Sequence, residues 1–73
     1  MATEAQEMVR SRLLGLLLDK VDADTYPSST MLDMIELLMK PDELEEYAAV
    51  LLSKVDADTY PSVSMINRLI GLT

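Results

Sequence analysis

The nine-residue run Lys20–Ser28, K-V-D-A-D-T-Y-P-S, recurs without change as Lys54–Ser62. The two copies lie 34 residues apart, and aligning residues 10–39 with residues 44–73 at that offset gives 13 identities in 30 positions. Outside the run most aligned residues differ, but apolar residues mostly align with apolar residues. The chain is therefore an internal duplication, and the duplicated unit decides the fold.

The first copy has the pattern of two helices joined by the repeated run. Thr3 and Gln6 have the form of a capping box at the start of the first helix. Tyr26 precedes Pro27 and so leaves the helical region, while Ser28 suits the N-cap of a second helix. Helical spacing predicts an apolar face formed by Val9, Leu13, Leu16, Leu17, Val21, Met31, Leu32, Ile35, Leu38 and Met39.

The second copy follows the same plan. Pro41 fits a first helical turn, and Asp42 and Glu43 come next, where the positive end of the helix dipole favours anions. Ser62 is expected to cap the last helix. The predicted apolar face consists of Leu44, Tyr47, Ala48, Leu51, Val55, Met65, Ile66, Leu69 and Ile70.

These patterns predict an all-α fold. We expect four short helices, arranged as two tandem helix–loop–helix repeats with approximate internal twofold symmetry. Repeat 1 covers about residues 4–39 and repeat 2 about residues 41–73. Two helices alone bury an amphipathic face poorly, so residues 1–73 are predicted to form a single domain in which each repeat covers the other's apolar face.

The composition limits the classes of partner. Thirteen acidic and six basic residues give a net charge of −7, which disfavours nucleic acids and anionic membranes. The longest dense apolar stretch, Leu13–Leu18, is too short to span a bilayer, and the N-terminus lacks the basic start of a signal peptide. We therefore expect no nucleic-acid or membrane binding, and a cytoplasmic location unless the protein ends inside an assembly.

The sequence offers little for catalysis or for metal binding. It contains no His and no Cys, so its serines have neither an imidazole base nor a thiol alternative. The D-A-D segment resembles the start of a calcium-binding EF-hand loop. Counting from Asp22, however, the sixth residue is Pro27 instead of Gly, and the twelfth is Asp33 instead of Glu. We predict that the protein is not an enzyme and holds no metal or cofactor.

The repeated run has two compatible interpretations. In the structural one, its Asp side chains bond nearby backbone amides and its Tyr ring fills the gap between two helices. In the functional one, both copies present the same side chains to a partner. Met34 aligns with Arg68, which predicts a solvent-facing position. The candidate partner-binding residues are Asp22, Asp24, Tyr26, Met34, Asp56, Asp58, Tyr60 and Arg68.

The segments Tyr26–Asp33 and Tyr60–Arg68 place Y-P-S-x-x-M, or a close variant, at the head of each second helix. In this the chain resembles small duplicated proteins of actinobacteriophage and prophage structural gene clusters. The resemblance implies a minor capsid or capsid-decoration protein, located in the virion and assembled in the host cytoplasm. It implies capsid or connector subunits as partners and carries over no active site.

Two other functions fit the same residues. One is a soluble acidic adaptor or inhibitor that occupies a basic site on a host protein. The other is a self-assembling homo-oligomer. Both are binding functions, and both would use apolar side chains that a chain of 73 residues leaves on its surface.

Overall fold

The computed structural model describes residues 2–25, 27–59 and 61–73, and within these the chain is helical and contains no strand. The all-α prediction is confirmed. The helices are α1 (Glu4–Ala23), α2 (Ser29–Leu38), α3 (Leu44–Ala57) and α4 (Val63–Gly71), with a 3₁₀ turn at Pro41–Glu43 before α3.

The predicted helix caps are present. Thr3 Oγ1 accepts a hydrogen bond from the Gln6 amide at 3.1 Å, and the Thr3 amide donates to Gln6 Oε1 at 2.8 Å. Ser28 Oγ accepts from the Met31 amide at 3.1 Å, and Ser62 Oγ accepts from the Met65 amide at 3.3 Å. Each bond satisfies a backbone amide that has no partner inside its helix, so these residues fix where α1, α2 and α4 begin.

The chain divides into two compact units, Met1–Met39 and Lys40–Thr73. In the first unit α1 packs on α2, and the buried side chains are Leu14, Leu18, Val21, Leu32 and Ile35.

Arg10 links the N-terminal part of α1 to the C-terminal end of α2. Its Nη1 donates to the Leu38 carbonyl at 2.9 Å, while its Nε and Nη2 donate to Glu7 Oε1 at 3.0 and 2.7 Å. The Leu38 carbonyl belongs to the last turn of α2, where carbonyls have no partner within the helix. Because Arg10 lies near the start of α1 and Leu38 ends α2, the two helices run in opposite directions.

In the second unit α3 packs on α4 and on the 3₁₀ turn, and Tyr47, Leu51 and Met65 are buried. The predicted first helical turn at Pro41 takes the tighter 3₁₀ form, with Glu43 Oε1 accepting from the Lys40 amide at 2.8 Å.

The two units bury positions that are not equivalent in the duplication. The buried Tyr47 and Leu51 of α3 align with Leu13 and Leu17 of α1, one residue before the buried Leu14 and Leu18. Buried Met65 of α4 likewise aligns with Met31, one residue before buried Leu32. One residue is about 100° of rotation in an α-helix. Each helix of the second unit is thus turned about its own axis relative to its counterpart.

The residue pair Tyr47–Ala48 explains why α3 is rotated about its axis relative to α1. The aligned pair in α1 is Leu13–Leu14, two residues of equal size. In α3 the first position carries a large aromatic ring and the second only a methyl group. Burying Tyr47 removes far more apolar area from water than burying Ala48, so α3 packs with Tyr47 inward.

Part of the predicted apolar face is wrong. Val9, Leu13 and Leu16 were expected to face inward, but all three are exposed, because the leucines of α1 lie on more than one side and Leu14 and Leu18 are buried instead. Ile70 was also expected inward and is exposed. The single domain over residues 1–73, the twofold symmetry and the mutual covering of the repeats stay predictions.

Replacing Arg10 with Ala tests the link between α1 and α2. We expect a loss of about 2 kcal/mol in the free energy of unfolding, because a charged hydrogen bond to the partly buried Leu38 carbonyl disappears. Arg12→Ala is the matched control on the same helix, at an exposed position, and should change stability by less than about 0.5 kcal/mol. Urea unfolding at low chain concentration measures both, and equal losses would contradict this role of Arg10.

Candidate functional site

Large hydrophobic side chains are numerous on the surface of the described residues. Among the described residues nine large hydrophobic side chains are exposed, against eight hydrophobic side chains that are buried. Single exposed apolar residues are ordinary, but groups of them on one helix face mark contact surfaces. The exposed side chains are Met8, Val9, Leu13, Leu16, Met34, Leu37, Leu52, Val63 and Ile70.

Met34 and Leu37 form an apolar pair on the outer side of α2, which we call the α2 patch. They are three residues apart and therefore neighbours on the helix surface. Leu37 is 84% exposed and Met34 is 48% exposed, while Leu32 and Ile35 bury the opposite side. The predicted exposure of Met34 is confirmed.

Val9, Leu13 and Leu16 form a second exposed row, which we call the α1 stripe. Their spacing of four and then three residues keeps them on one side of the helix. This side is nearly opposite the one that buries Leu14 and Leu18. Helix α1 is therefore apolar on two sides, and α2 covers only one of them.

The second unit contains an open apolar groove of about 400 Å³, which we call the α3–α4 groove. Its one side-chain hydroxyl, that of Thr73, donates a hydrogen bond to the Ile70 carbonyl at 2.6 Å, so the groove offers mainly carbon surface. The lining residues are Leu44, Ala48, Leu52, Leu69, Ile70, Leu72 and Thr73.

In the first unit the positions equivalent to this groove are filled. Leu14 and Leu18, which align with Ala48 and Leu52, are buried there. Arg10, which aligns with Leu44, donates its hydrogen bond across to α2. In the second unit the turn of α3 moves these positions away from the core, and Ala48 is too small to fill the space. The groove thus lies on the side of α3 that corresponds to the buried side of α1. The Tyr47–Ala48 pair leaves this side of α3 open.

The first helix of each unit ends at the same residue of the repeated run and with the same backbone angles there. Asp24 ends α1 with φ −88° and ψ 134°, and Asp58 ends α3 with φ −88° and ψ 135°. This identity supports the structural interpretation of the run. The aspartates differ in exposure, because Asp22, Asp24 and Asp56 are exposed while Asp58 is half-buried. One Asp58 oxygen, Oδ2, is buried and accepts no hydrogen bond among the described residues.

The remaining candidate residues divide into two groups. Tyr26 and Tyr60 lie outside the described residues, so their role in the run stays a prediction. Arg68 is half-buried and already interacts within the chain, whereas Met34 at the aligned position is exposed. Repeat 1 thus presents an apolar side chain where repeat 2 presents a partly buried cation.

Sequence reasoning missed Leu37 and the α3–α4 groove. Leu37 aligns with Gly71 in the second copy. A position that accepts both a leucine and a glycine does not require a buried side chain, so the duplication itself indicated that Leu37 is exposed. The groove had no such signal, because it depends on which side of α3 is buried.

Two further findings concern the described part of the chain. Its His, Cys, Asp and Glu side chains form no group of three or more that could hold a metal ion. None of its helices has the combined length and apolar content needed to cross a membrane.

No protein-family model matches this chain, and no curated protein or solved structure shows significant similarity to it.

Filling the groove tests its origin. Ala48→Leu restores the residue type of the first copy and should stabilise the protein by about 1 kcal/mol, since part of the added side chain leaves water. Ala49→Leu is the matched control: it makes the same change at an exposed neighbouring position, where we expect less than about 0.5 kcal/mol. Urea unfolding compares the two, and a destabilised Ala48→Leu variant would show that the groove cannot accept a leucine.

Proposed function

We propose that this chain is a non-enzymatic docking protein of a bacteriophage virion. In this proposal it is a minor capsid or capsid-decoration protein that binds capsid or connector subunits through its exposed apolar side chains. The observation that carries the proposal is the balance of nine exposed large hydrophobic side chains against eight buried ones among the described residues. A surface of this kind is expected of a protein that works in contact with another.

The size of the chain supports the same function. A chain of 73 residues buries a modest share of its surface and has a narrow stability margin. A partner that binds only the folded chain adds stability by mass action. A capsid lattice provides such a partner at high local concentration, so a small protein with uncovered apolar faces is stabilised where it functions.

We infer that the α2 patch makes the main contact. Met34 adapts its shape to irregular surfaces, and Leu37 projects almost fully into solvent. Repeat 2 carries Arg68 and Gly71 at the aligned positions, so it cannot make the same contact. The duplication therefore does not give two equal binding faces, and the chain is expected to bind in one orientation.

The α3–α4 groove supports a second contact of a different kind. Its apolar lining and open shape suit an aliphatic side chain inserted from a partner. The side chains of the α2 patch can insert into a partner, and the α3–α4 groove can accept a side chain from one.

The net charge of −7 indicates what surrounds the apolar contact on the partner. A rim rich in Lys and Arg would be attracted to this chain and would fix its orientation, while the apolar centre would provide most of the affinity. The absence of His and Cys from the sequence supports a binding role over a catalytic one.

The same charge favours a second candidate function, an acidic adaptor or inhibitor that occupies a basic site on a host protein. The two candidates differ in salt dependence. Binding dominated by exposed charges weakens strongly with ionic strength, whereas an apolar contact does not. The virion assignment itself rests on the resemblance of the Y-P-S-x-x-M segments to duplicated phage structural proteins.

The proposal predicts that mass spectrometry of purified virions detects this chain, and that the isolated protein rebinds to particles lacking it. Met34→Glu/Leu37→Glu should reduce co-sedimentation with those particles by at least about tenfold, because it places two charges in the apolar contact. Ala49→Glu/Ser53→Glu is the matched control, with the same added charge on exposed positions of α3.

The control should co-sediment like the unmodified chain, and binding should persist at high salt. Absence of the chain from mature virions would reject the virion assignment. Equal binding by both double variants would reject the α2 patch as the contact. Capture of a host protein that is lost at high salt would favour the adaptor function.

A further inference from the structure

The α1 stripe is not used by the proposed contact on α2, and it has the spacing of a coiled-coil seam. From Val9 the residues on this side are Leu13, Leu16 and Lys20, separated by four, three and four positions. An alternation of three and four is the repeat with which two helices pack side by side. Because Val9, Leu13 and Leu16 are exposed, a second helix can approach without disturbing the core of the first unit.

We propose that two copies of this chain form a homodimer, in which their α1 helices pack antiparallel along the α1 stripes about a twofold axis. In this arrangement Leu13 of each copy lies opposite Leu16 of the other, so four leucines form the centre. Val9 lies opposite Lys20 of the second copy at each end. A twofold interface uses the same surface on both chains, which is what a single exposed stripe provides.

The charges along the stripe determine its direction. Arg12 and Asp19 are both exposed and lie on the same edge of the stripe, seven residues apart. An antiparallel twofold places this edge against the same edge of the second copy. At a rise of about 1.5 Å per residue, Arg12 then lies about 3 Å along the axis from Asp19 of the second copy, within reach of its long side chain. The pair occurs twice, once on each side of the axis.

A parallel arrangement lacks this complementarity. It would place the Arg12–Asp19 edge against the opposite edge of the second helix, where half-buried Arg10, a like charge, is the residue nearest to Arg12 along the axis. It would also align the two helix dipoles in the same direction, which is less favourable than opposing them. The charge pattern therefore selects the antiparallel dimer.

The seam is short, and the expected association is weak and concentration-dependent. Each copy contributes three large apolar side chains, and Lys20 occupies a seam position where a charged residue lowers affinity while fixing the register. This dimer uses a different surface from the α2 patch, so failure of one proposal leaves the other unaffected.

Sedimentation equilibrium of the full chain over a wide concentration range tests the dimer. Arg12→Asp and Asp19→Arg should each raise the dissociation constant about tenfold, since each replaces two attractive pairs by two repulsive ones. The double variant Arg12→Asp/Asp19→Arg restores both pairs with exchanged signs and should return the constant to within about twofold of the original. Ala49→Asp, at an exposed position of α3 outside the α1 stripe and the α2 patch, is the control and should leave association unchanged.

A spin label at exposed Ala23 measures the direction. The antiparallel dimer predicts a distance of about 25–30 Å between the two labels, whereas a parallel dimer predicts about 10 Å. Circular dichroism verifies that each variant stays helical. A chain that is monomeric at all concentrations, a double variant that does not recover, or a short label distance would overturn the proposal.

Discussion

The packing of each unit is limited by the number of helices that can cover its apolar side chains. Each unit is a pair of helices, and a pair can bury only one side of each helix, yet α1 carries leucines on two sides. Covering Leu14 and Leu18 leaves Val9, Leu13 and Leu16 in water. The Arg10 hydrogen bond to the Leu38 carbonyl fixes this choice, because it holds the start of α1 against the end of α2.

The duplicated unit shows how a small change redirects packing. Tyr47 and Ala48 occupy the positions of Leu13 and Leu14, and this exchange moves the buried side of α3 by one residue. The side that forms the core of the first unit becomes the α3–α4 groove of the second. Two copies of nearly the same element plan therefore present different surfaces, one with an exposed pair on α2 and the other with an open groove.

The local structure was predictable from the sequence because short-range chemistry determines it. Thr3, Ser28 and Ser62 start helices by bonding amides three residues ahead, and those positions are readable without knowledge of the fold. The carboxylates Glu45 and Glu46 in the first turn of α3 are exposed, since a carboxylate loses too much hydration when buried.

The choice of buried side was not predictable in the same way. Periodicity identifies apolar positions, but Leu13, Leu14, Leu16, Leu17 and Leu18 fit more than one helical face. Which face is buried depends on the partner helix, and therefore on tertiary packing. The candidate site was predicted in part, since Met34 is exposed as expected, while Leu37 and the groove emerged only when the orientation of the helices was known.

We propose that the exposed apolar side chains contact another protein. Hydroxyl-radical footprinting read by mass spectrometry tests this claim on methionines, which oxidise readily when exposed. Met34 is 48% exposed and Met65 only 3%, so the isolated chain should oxidise quickly at Met34 and slowly at Met65. On particles that carry the chain, Met34 should become as protected as Met65. Met34 that reacts equally fast in the isolated and the particle-bound chain would contradict the claim.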